Sequence, residues 1–313
     1  MSLLSFIKIP DVRETIKVLR PKATRKIGVP LRVPAQSKNH AAVGQAFDYL
    51  LRIELKRRAP HAVSRRTVNE LAPLLFSVIA ASGSEGVSMY RSIVCGAGAL
   101  NPIPPKEAAE KAWRVVTEAA ASVANYIAAT PPSRCQLSEL ASHTIRLAKL
   151  DSVRRAGRSD LQFEHTSPED VQDLVDLLDI VPFSDLIDPG LMLLNPVFNN
   201  ASPLVGGADA DLISGGSLID FKATIANSME SIHLDQLLGY LILARKERSI
   251  DSTFPAINKL GLYFCRHGHL WSKDASEWTD RPEFAAVESR FFRRANALRK
   301  EQAAARTPNW GIG

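Results

Sequence analysis

Residues 206–224 read GGADADLISGGSLIDFKAT, and this stretch predicts a β-hairpin that carries carboxylates in its strands. Gly215 and Gly216 can supply the positive φ angles that a tight two-residue turn requires. On either side of them the chain is rich in apolar and β-branched residues, which favours two strands in the interior of a sheet. Polar side chains in the middle of such strands call for a physical reason.

Pairing across the predicted turn places Asp211 opposite Asp220, and Asp209 opposite Lys222. Because side chains alternate between the two faces of a strand, these four polar residues share one face. The Cβ atoms of directly opposed residues lie roughly 4.5–5.5 Å apart, a distance at which two carboxylates repel each other. We therefore expect a cation to hold them together.

Hard carboxylate oxygens are the ligands that Mg²⁺ or Mn²⁺ prefers, so a site for one of these ions is the simplest explanation of the acidic face. Lys222 adds a positive group beside it. The alternative is a solvent-facing hairpin edge, on which acids and a lysine are common. The apolar character of both strands argues against that alternative.

The other predicted elements alternate between helices and strands. At Leu191 the period of the apolar residues changes from about 3.6, typical of helices, toward 2. Strands are predicted at 191–198, 203–213, 217–224 and 257–265. Helices are predicted at 41–58, over much of 66–95 and 104–156, from Ser167-Pro168, at about 232–246 and at 282–306, with a further short helix near 12–19 in the N-terminal arm.

The chain divides along its length into five segments. A first core helix and a sheet are separated by a long helical stretch, and both ends of the chain are basic. The segments are a basic N-terminal arm at 1–40, the first core helix at 41–60, a helical insertion at 61–185, the core sheet and its helix at 186–280, and a basic C-terminal helix and tail at 281–313.

The net charge of +6 is distributed unevenly. Residues 1–66 contain fifteen Lys and Arg but four acids, whereas residues 159–221 contain twelve acids and no Lys or Arg. A basic pole suits a polyanion such as nucleic acid, and a divalent cation would allow carboxylates to lie near that polyanion. Solvated surfaces of opposite charge are the simpler alternative.

Three short motifs in this order resemble the PD-(D/E)XK nuclease superfamily. That superfamily has an Asp on one strand and D-x-K on the next, here Asp211 and 220–222. The RecB-like branch adds Q-x-x-x-Y in the following helix, here 236–240. Its first helix often bears G-x-x-x-H, and 44–48 has this spacing with Asp in place of His. The resemblance implies an α/β restriction-endonuclease-like fold, a mixed sheet flanked by helices with a large helical insertion between the first core helix and the sheet.

The resemblance also implies roles for individual residues. Catalysis would depend on Asp211, Asp220, Lys222 and Gln236, and the metal ligands would be Asp48, Asp211, Asp220 and the carbonyl of Phe221. Glu54 is the alternative first-helix ligand, although it lies on a different face of the helix from Asp48. Asp209 would support Lys222 or be a bystander, and Tyr240 would pack or bond behind the site.

The expected function is Mg²⁺- or Mn²⁺-dependent hydrolysis of phosphodiester bonds in DNA, which we favour over RNA, in defence, repair or mobile-element processing. The alternative is a noncatalytic nucleic-acid-binding or assembly module with the same fold. The absence of a long apolar run predicts no membrane association, and no secretory signal is recognisable, so a cytoplasmic location is expected. The widely spaced cysteines favour neither disulfides nor zinc, since Cys265, His267 and His269 lack a fourth ligand nearby.

Overall fold

A mixed β-sheet of six strands lies at the centre of the computed structural model, which describes residues 2–20, 26–64, 105–156 and 163–306. Its order follows the sequence from β1 to β6. The pairs β1–β2 and β4–β5 are parallel and the other neighbours are antiparallel. The strands are β1 (Val63–Ser64), β2 (Met192–Leu194), β3 (Leu212–Ser214), β4 (Ser217–Lys222), β5 (Lys259–Phe264) and β6 (His269–Asp274).

Helices cover both faces of the sheet because successive strand residues point to opposite sides. Leu218 packs into one apolar cluster and its neighbour Ile219 into the other. The first face is covered by α1 (Leu3–Phe6), α2 (Pro10–Lys17), α8 (Ser231–Ile250), α9 (Ser276–Thr279) and α10 (Phe284–Arg306). The second is covered by α3 (His40–Arg58), α4 (Pro105–Ala128), α5 (Arg134–Ala156), α6 (Pro168–Asp179) and α7 (Phe183–Leu186). The predicted α/β class and the mixed sheet flanked by helices are thus confirmed.

The predicted hairpin forms with the predicted register. Gly215 and Gly216 have φ angles of 54° and 78°, and Ser214 pairs with Ser217 across them. The antiparallel ladder stops at Leu212–Ile219, so Asp211 lies just beyond the last pair.

The long strand predicted at 203–213 was wrong over its first half. Residues Ser202–Val205 form a 3₁₀ helix that ends at Gly206, whose φ is 83°. Pro203 fits the first turn of that helix because it lacks an N–H. Asp209 is bridged to Val197, rather than to the predicted partner Lys222.

The basic N-terminal arm predicted at 1–40 is instead part of the core at its beginning. Helices α1 and α2 bury Leu3, Phe6 and Ile16, all at most 2% exposed, against the first face of the sheet. The short helix predicted near 12–19 forms as α2, and the basic side chains of Lys8, Arg13 and Lys17 lie exposed between the buried apolar ones.

The helical insertion predicted at 61–185 contributes the layer that covers the second face. Ser167 caps helix α6, because its hydroxyl accepts a hydrogen bond from Asp170 N at 3.1 Å. Pro168 lies in the first turn of the helix, and both features were predicted. The first residues of the segment form the short strand β1 instead of a helix. The helices predicted within 66–95 lie outside the described residues.

The C-terminal helix was predicted correctly, and the tail at 307–313 also lies outside the described residues. Within the parts of the chain that the structure describes, no helix is both long enough and apolar enough to cross a membrane.

Candidate functional site

The predicted polar residues meet in one cavity of about 250 Å³ at the end of β4. Strand β4 and the residues just before β3 line one side of it, and helices α3 and α8 line the others. The predicted site residues that line it are Asp48, Asp209, Asp211, Asp220, Phe221, Lys222, Gln236 and Tyr240.

Strand β4 places Asp220 and Lys222 side by side because residues two apart share a face. The Lys222 ammonium lies 2.5 Å from Asp220 Oδ2, and Asp220 is only 3% exposed. Burial alone would lower the pKa of Lys222, but the carboxylates of Asp220 and Asp211 outweigh it and raise that pKa. Lys222 therefore carries a positive charge in the site.

Asp211 is held at the mouth of the hairpin. Its Oδ2 accepts a hydrogen bond from Phe221 N at 2.5 Å, and its backbone carbonyl accepts from Asn195 N at 2.9 Å. Burial and the charges of Asp220 and Asp48 raise the pKa of Asp211 well above its ordinary value. These carboxylates are thus close enough to disfavour one another's ionisation, as the predicted pairing required.

A chain of hydrogen bonds holds Lys222 from the side of α8. The ammonium donates to Gln236 Oε1 at 2.9 Å, and Gln236 Nε2 donates to the Tyr240 hydroxyl at 2.9 Å. That hydroxyl donates to the carbonyl of Asp209 at 2.5 Å. We call these four residues the Lys222 chain. The four-residue spacing of Gln236 and Tyr240 puts both on one side of the helix, so Q-x-x-x-Y has a physical basis here.

Asp209 thus takes part through its backbone, while its side chain lines the cavity. This arrangement differs from the predicted contact between its carboxylate and Lys222.

Helix α3 brings Asp48 to the cavity, and Gly44 lies beside it on the same helix face. Asp48 Oδ2 accepts from Arg52 Nη2 at 2.8 Å and from Gln45 Nε2 at 3.4 Å. Asp48 Oδ1 is buried and has no hydrogen-bond partner among the described residues. A buried acceptor of this kind is costly unless something binds it.

Glu54, the alternative first-helix residue, lies elsewhere. It is 2% exposed and accepts hydrogen bonds from Arg57, Arg58 and Tyr126. It does not line the cavity. We call these four residues the Glu54 cluster.

The carboxylate oxygens in the cavity are of the ligand type that a hard divalent cation prefers. Carboxylates of Asp48, Asp211 and Asp220 surround one space, and the unsatisfied Oδ1 of Asp48 is an acceptor without a donor. In the described arrangement, however, no group of three or more His, Cys, Asp or Glu side chains converges as a ready metal cage. The positive charge nearest Asp220 is that of Lys222.

Several further residues at the site were not predicted from the sequence. Arg52 contacts Asp48, and the cavity is also lined by Gln45, Phe47, Asn195, Ala223 and Cys265. Asn195 has a positive φ of 49°, which Asn tolerates better than most residues, and the Asn-Pro pair directly after a strand was the available signal. Burial raises the pKa of Cys265, so its thiol stays protonated.

The residues weighed as a zinc site do not form one. Cys265 and His267 lie in a 3₁₀ helix rather than alternating along a strand. His267 Nδ1 lies 3.2 Å from the carbonyl of Val29.

Comparison with models of known protein families, with characterised proteins and with solved structures found no match for this chain.

Proposed function

We propose that this protein is a metal-dependent nuclease of the PD-(D/E)XK type that hydrolyses phosphodiester bonds of DNA. The observation that carries the proposal is the meeting of Asp211, Asp220 and Lys222 in one cavity with the side chains of Asp48 and Gln236. Carboxylates gathered with a charged lysine suit the cleavage of an anionic ester, since they can hold a cation and neutralise developing charge.

Asp211, Asp220 and Asp48 would hold Mg²⁺ or Mn²⁺, with the Phe221 carbonyl as a further ligand. When bound, such an ion lowers the pKa of a water molecule and polarises a phosphate oxygen. The Phe221 N–H fixes Asp211 by its 2.5 Å hydrogen bond, so the carboxylate keeps one orientation.

Lys222 would stabilise the negative charge that develops on the phosphate or orient the attacking water. Its ammonium is held between Asp220 and Gln236, at 2.5 and 2.9 Å, which fixes its position before substrate binds. Such preorganisation is what makes a charged group effective in a transition state.

Basic side chains on the surface of the first face support the proposal that the substrate is a polyanion. A groove of about 580 Å³ between α8 and α10 is lined by Arg245, Lys246 and Arg248. Along α10, Arg290 and Arg293 are exposed. Basic side chains that remain accessible can contact phosphates without regard to base sequence.

The test is a cleavage assay with linear, circular, single-stranded and double-stranded DNA, and with RNA, in Mg²⁺, Mn²⁺ or EDTA. We expect cleavage of DNA with either metal and none with EDTA. Lys222→Ala should reduce the rate by about 10³-fold while leaving the protein folded and able to bind DNA. Lys259→Ala is the matched control, because Lys259 is an exposed lysine on the neighbouring strand β5 and does not line the cavity.

Full activity in Lys222→Ala would refute the assignment. Salt-dependent DNA binding without metal-dependent turnover would instead favour the noncatalytic binding module.

A further inference from the structure

The Lys222 chain is supported from outside the site by residues near the N-terminus. Its two helical members lie on α8, and its last member is the carbonyl of Asp209 in the loop before β3. Residues 2–20 contact both α8 and that loop. The contacts occur at three points.

The first contact is an ion pair beside Gln236. Arg20 donates from Nε to Asp235 Oδ1 at 2.5 Å and from Nη2 to Asp235 Oδ2 at 2.6 Å. Asp235 is 1% exposed, so the pair is desolvated and its two-pronged geometry fixes the carboxylate firmly. Since Asp235 directly precedes Gln236, this pair fixes the rotation of α8 at the residue that binds Lys222.

The second contact lies between Gln236 and Tyr240. Leu3 packs against Gly239 so closely that a Cβ added there would lie 2.9 Å from Leu3 Cδ1. An alanine at this position of Q-x-x-x-Y would force the Leu3 side chain to shift, although it would favour the helix interior. Leu3 therefore packs directly against α8 between the two residues of the Lys222 chain that lie on this helix.

The third contact reaches the loop itself. The backbone N–H of Leu3 donates to the carbonyl of Gly207 at 2.7 Å, two residues before Asp209. Leu3 thus contacts both elements that the bond between Tyr240 and the Asp209 carbonyl joins, namely α8 at Gly239 and the loop before β3 at Gly207. The segment is itself anchored, because Arg281 donates to the carbonyls of Leu19 and Val18 at 3.1 and 3.0 Å.

We propose that residues 2–20 are a positioning element of the active site, with Arg20 and Leu3 setting the place of Gln236 and hence of the Lys222 ammonium. This inference rests on the proposed nuclease function for its catalytic consequence. Its structural content, that the segment holds α8 and the 206–209 loop in register, can be measured without cleavage. Neither Arg20 nor Leu3 lines the cavity, so both act through other residues.

The experiment compares Arg20→Ala, Arg20→Lys and Gly239→Ala with the wild type. Lys17→Ala is the control, because Lys17 lies on α2 in the same segment and forms an exposed pair with Glu14 at 3.1 Å. Gly239→Ala favours the helix intrinsically, so it displaces Leu3 without weakening α8 and remains informative if Arg20→Ala does not fold. Two quantities are measured on each protein: steady-state cleavage of DNA in Mg²⁺ and amide hydrogen exchange by peptide.

For Arg20→Ala and Gly239→Ala we expect kcat to fall about tenfold with KM within about twofold, because Lys222 is misplaced while substrate contacts remain. Arg20→Lys should give an intermediate kcat, since it keeps the charge and loses the fork. Exchange should rise in 206–210 and 231–240 and stay unchanged in α6, which covers the opposite face of the sheet.

An unchanged kcat in both Arg20→Ala and Gly239→Ala would overturn the inference, as would a rise of exchange that is equal in α6. If the wild type cleaves no DNA, the nuclease proposal fails and the exchange pattern alone decides whether residues 2–20 hold the Lys222 chain.

Discussion

Helix α3 carries two acids, Asp48 and Glu54, that differ in how completely their carboxylate oxygens are hydrogen-bonded. In the Glu54 cluster, Arg57 donates two hydrogen bonds at 2.7 Å, Arg58 donates one at 2.6 Å and Tyr126 one at 2.9 Å. In the cavity, Asp48 has one buried oxygen without a donor. The four hydrogen bonds fill the acceptor sites of the first carboxylate, whereas one oxygen of the second accepts none.

The pKa of Glu54 and the pKa of Asp211 in the cavity are shifted in opposite directions. Burial alone would raise the pKa of Glu54, but its hydrogen bonds to Arg57, Arg58 and Tyr126 outweigh burial and lower it. In the cavity, burial and the neighbouring carboxylates together raise the pKa of Asp211. Glu54 is fully hydrogen-bonded, whereas the carboxylates in the cavity repel one another and Asp48 Oδ1 lacks a donor among the described residues. Such perturbed acidic groups are typical of sites that bind a charged ligand. Glu54 and the cavity acid Asp220 are both buried, so it is the supply of hydrogen-bond donors, and not burial, that distinguishes the structural acid from the proposed functional ones.

Removing one charge from the cavity tests the unsatisfied side of this comparison. Asp211→Asn keeps an oxygen that can accept from Phe221 N, and it removes a charge that burial, Asp220 and Asp48 disfavour. We expect DNA cleavage to fall by about 10³-fold and the melting temperature to stay equal or rise. Single-turnover cleavage in Mg²⁺ and thermal unfolding in EDTA measure the two effects.

A clear loss of stability in Asp211→Asn would contradict the idea that the buried charge of this carboxylate destabilises the folded protein. Wild-type cleavage would contradict its place in the reaction.

The same acid-to-amide change in the Glu54 cluster should have the opposite result. Glu54→Gln leaves Arg57 and Arg58 without their carboxylate, so we expect the free energy of unfolding to fall by about 2–3 kcal/mol at pH 7 with cleavage unchanged. Urea unfolding of both proteins measures the difference.

The pH dependence of the free energy of unfolding tests whether the charge of Glu54 causes this difference. The pKa of Glu54 is lower in the folded protein than its ordinary value of 4.5. Its contribution to stability is therefore present above about pH 4.5 and is lost as the pH falls through the folded pKa. The gap between wild type and Glu54→Gln should narrow between pH 7 and pH 3, and a constant gap would show that the charge of Glu54 is not the cause.

Local rules were sufficient to predict the centre of the site. The turn at Gly215-Gly216, the alternation along β4 and the four-residue spacing on α8 each depend on neighbouring residues in the sequence. The alternation along β4 placed Asp220 beside Lys222 without knowledge of the rest of the chain, whereas Gln236 was assigned to the site by the resemblance to the nuclease superfamily.

The parts that could not be predicted depend on distant residues. Arg20 and Asp235 are 215 positions apart, and no local pattern indicates that they pair. The N-terminal prolines and basic residues suggested an irregular arm, whereas the buried side chains of Leu3 and Phe6 make that segment part of the core. Burial against another element is a property of the fold, so it overrides composition.

A matched pair of hydroxyl deletions sharpens the comparison at the smallest scale. Tyr126 and Tyr240 are both buried, and each donates one hydrogen bond, to Glu54 Oε2 at 2.9 Å and to the Asp209 carbonyl at 2.5 Å. Tyr126→Phe and Tyr240→Phe should each lower the free energy of unfolding by about 1 kcal/mol. Chemical denaturation measures this common effect.

Cleavage should separate the two variants. Tyr126→Phe leaves Glu54 with two hydrogen bonds from Arg57 and one from Arg58. Its kcat should therefore match that of the wild type. Tyr240→Phe releases Gln236 from its partner and lets Lys222 shift, so its kcat should fall about tenfold. Equal kcat values in the two variants would mean that the Lys222 chain stabilises the fold in the same way as the Glu54 cluster, and the distinction between a structural and a functional set of buried polar residues would not hold for this protein.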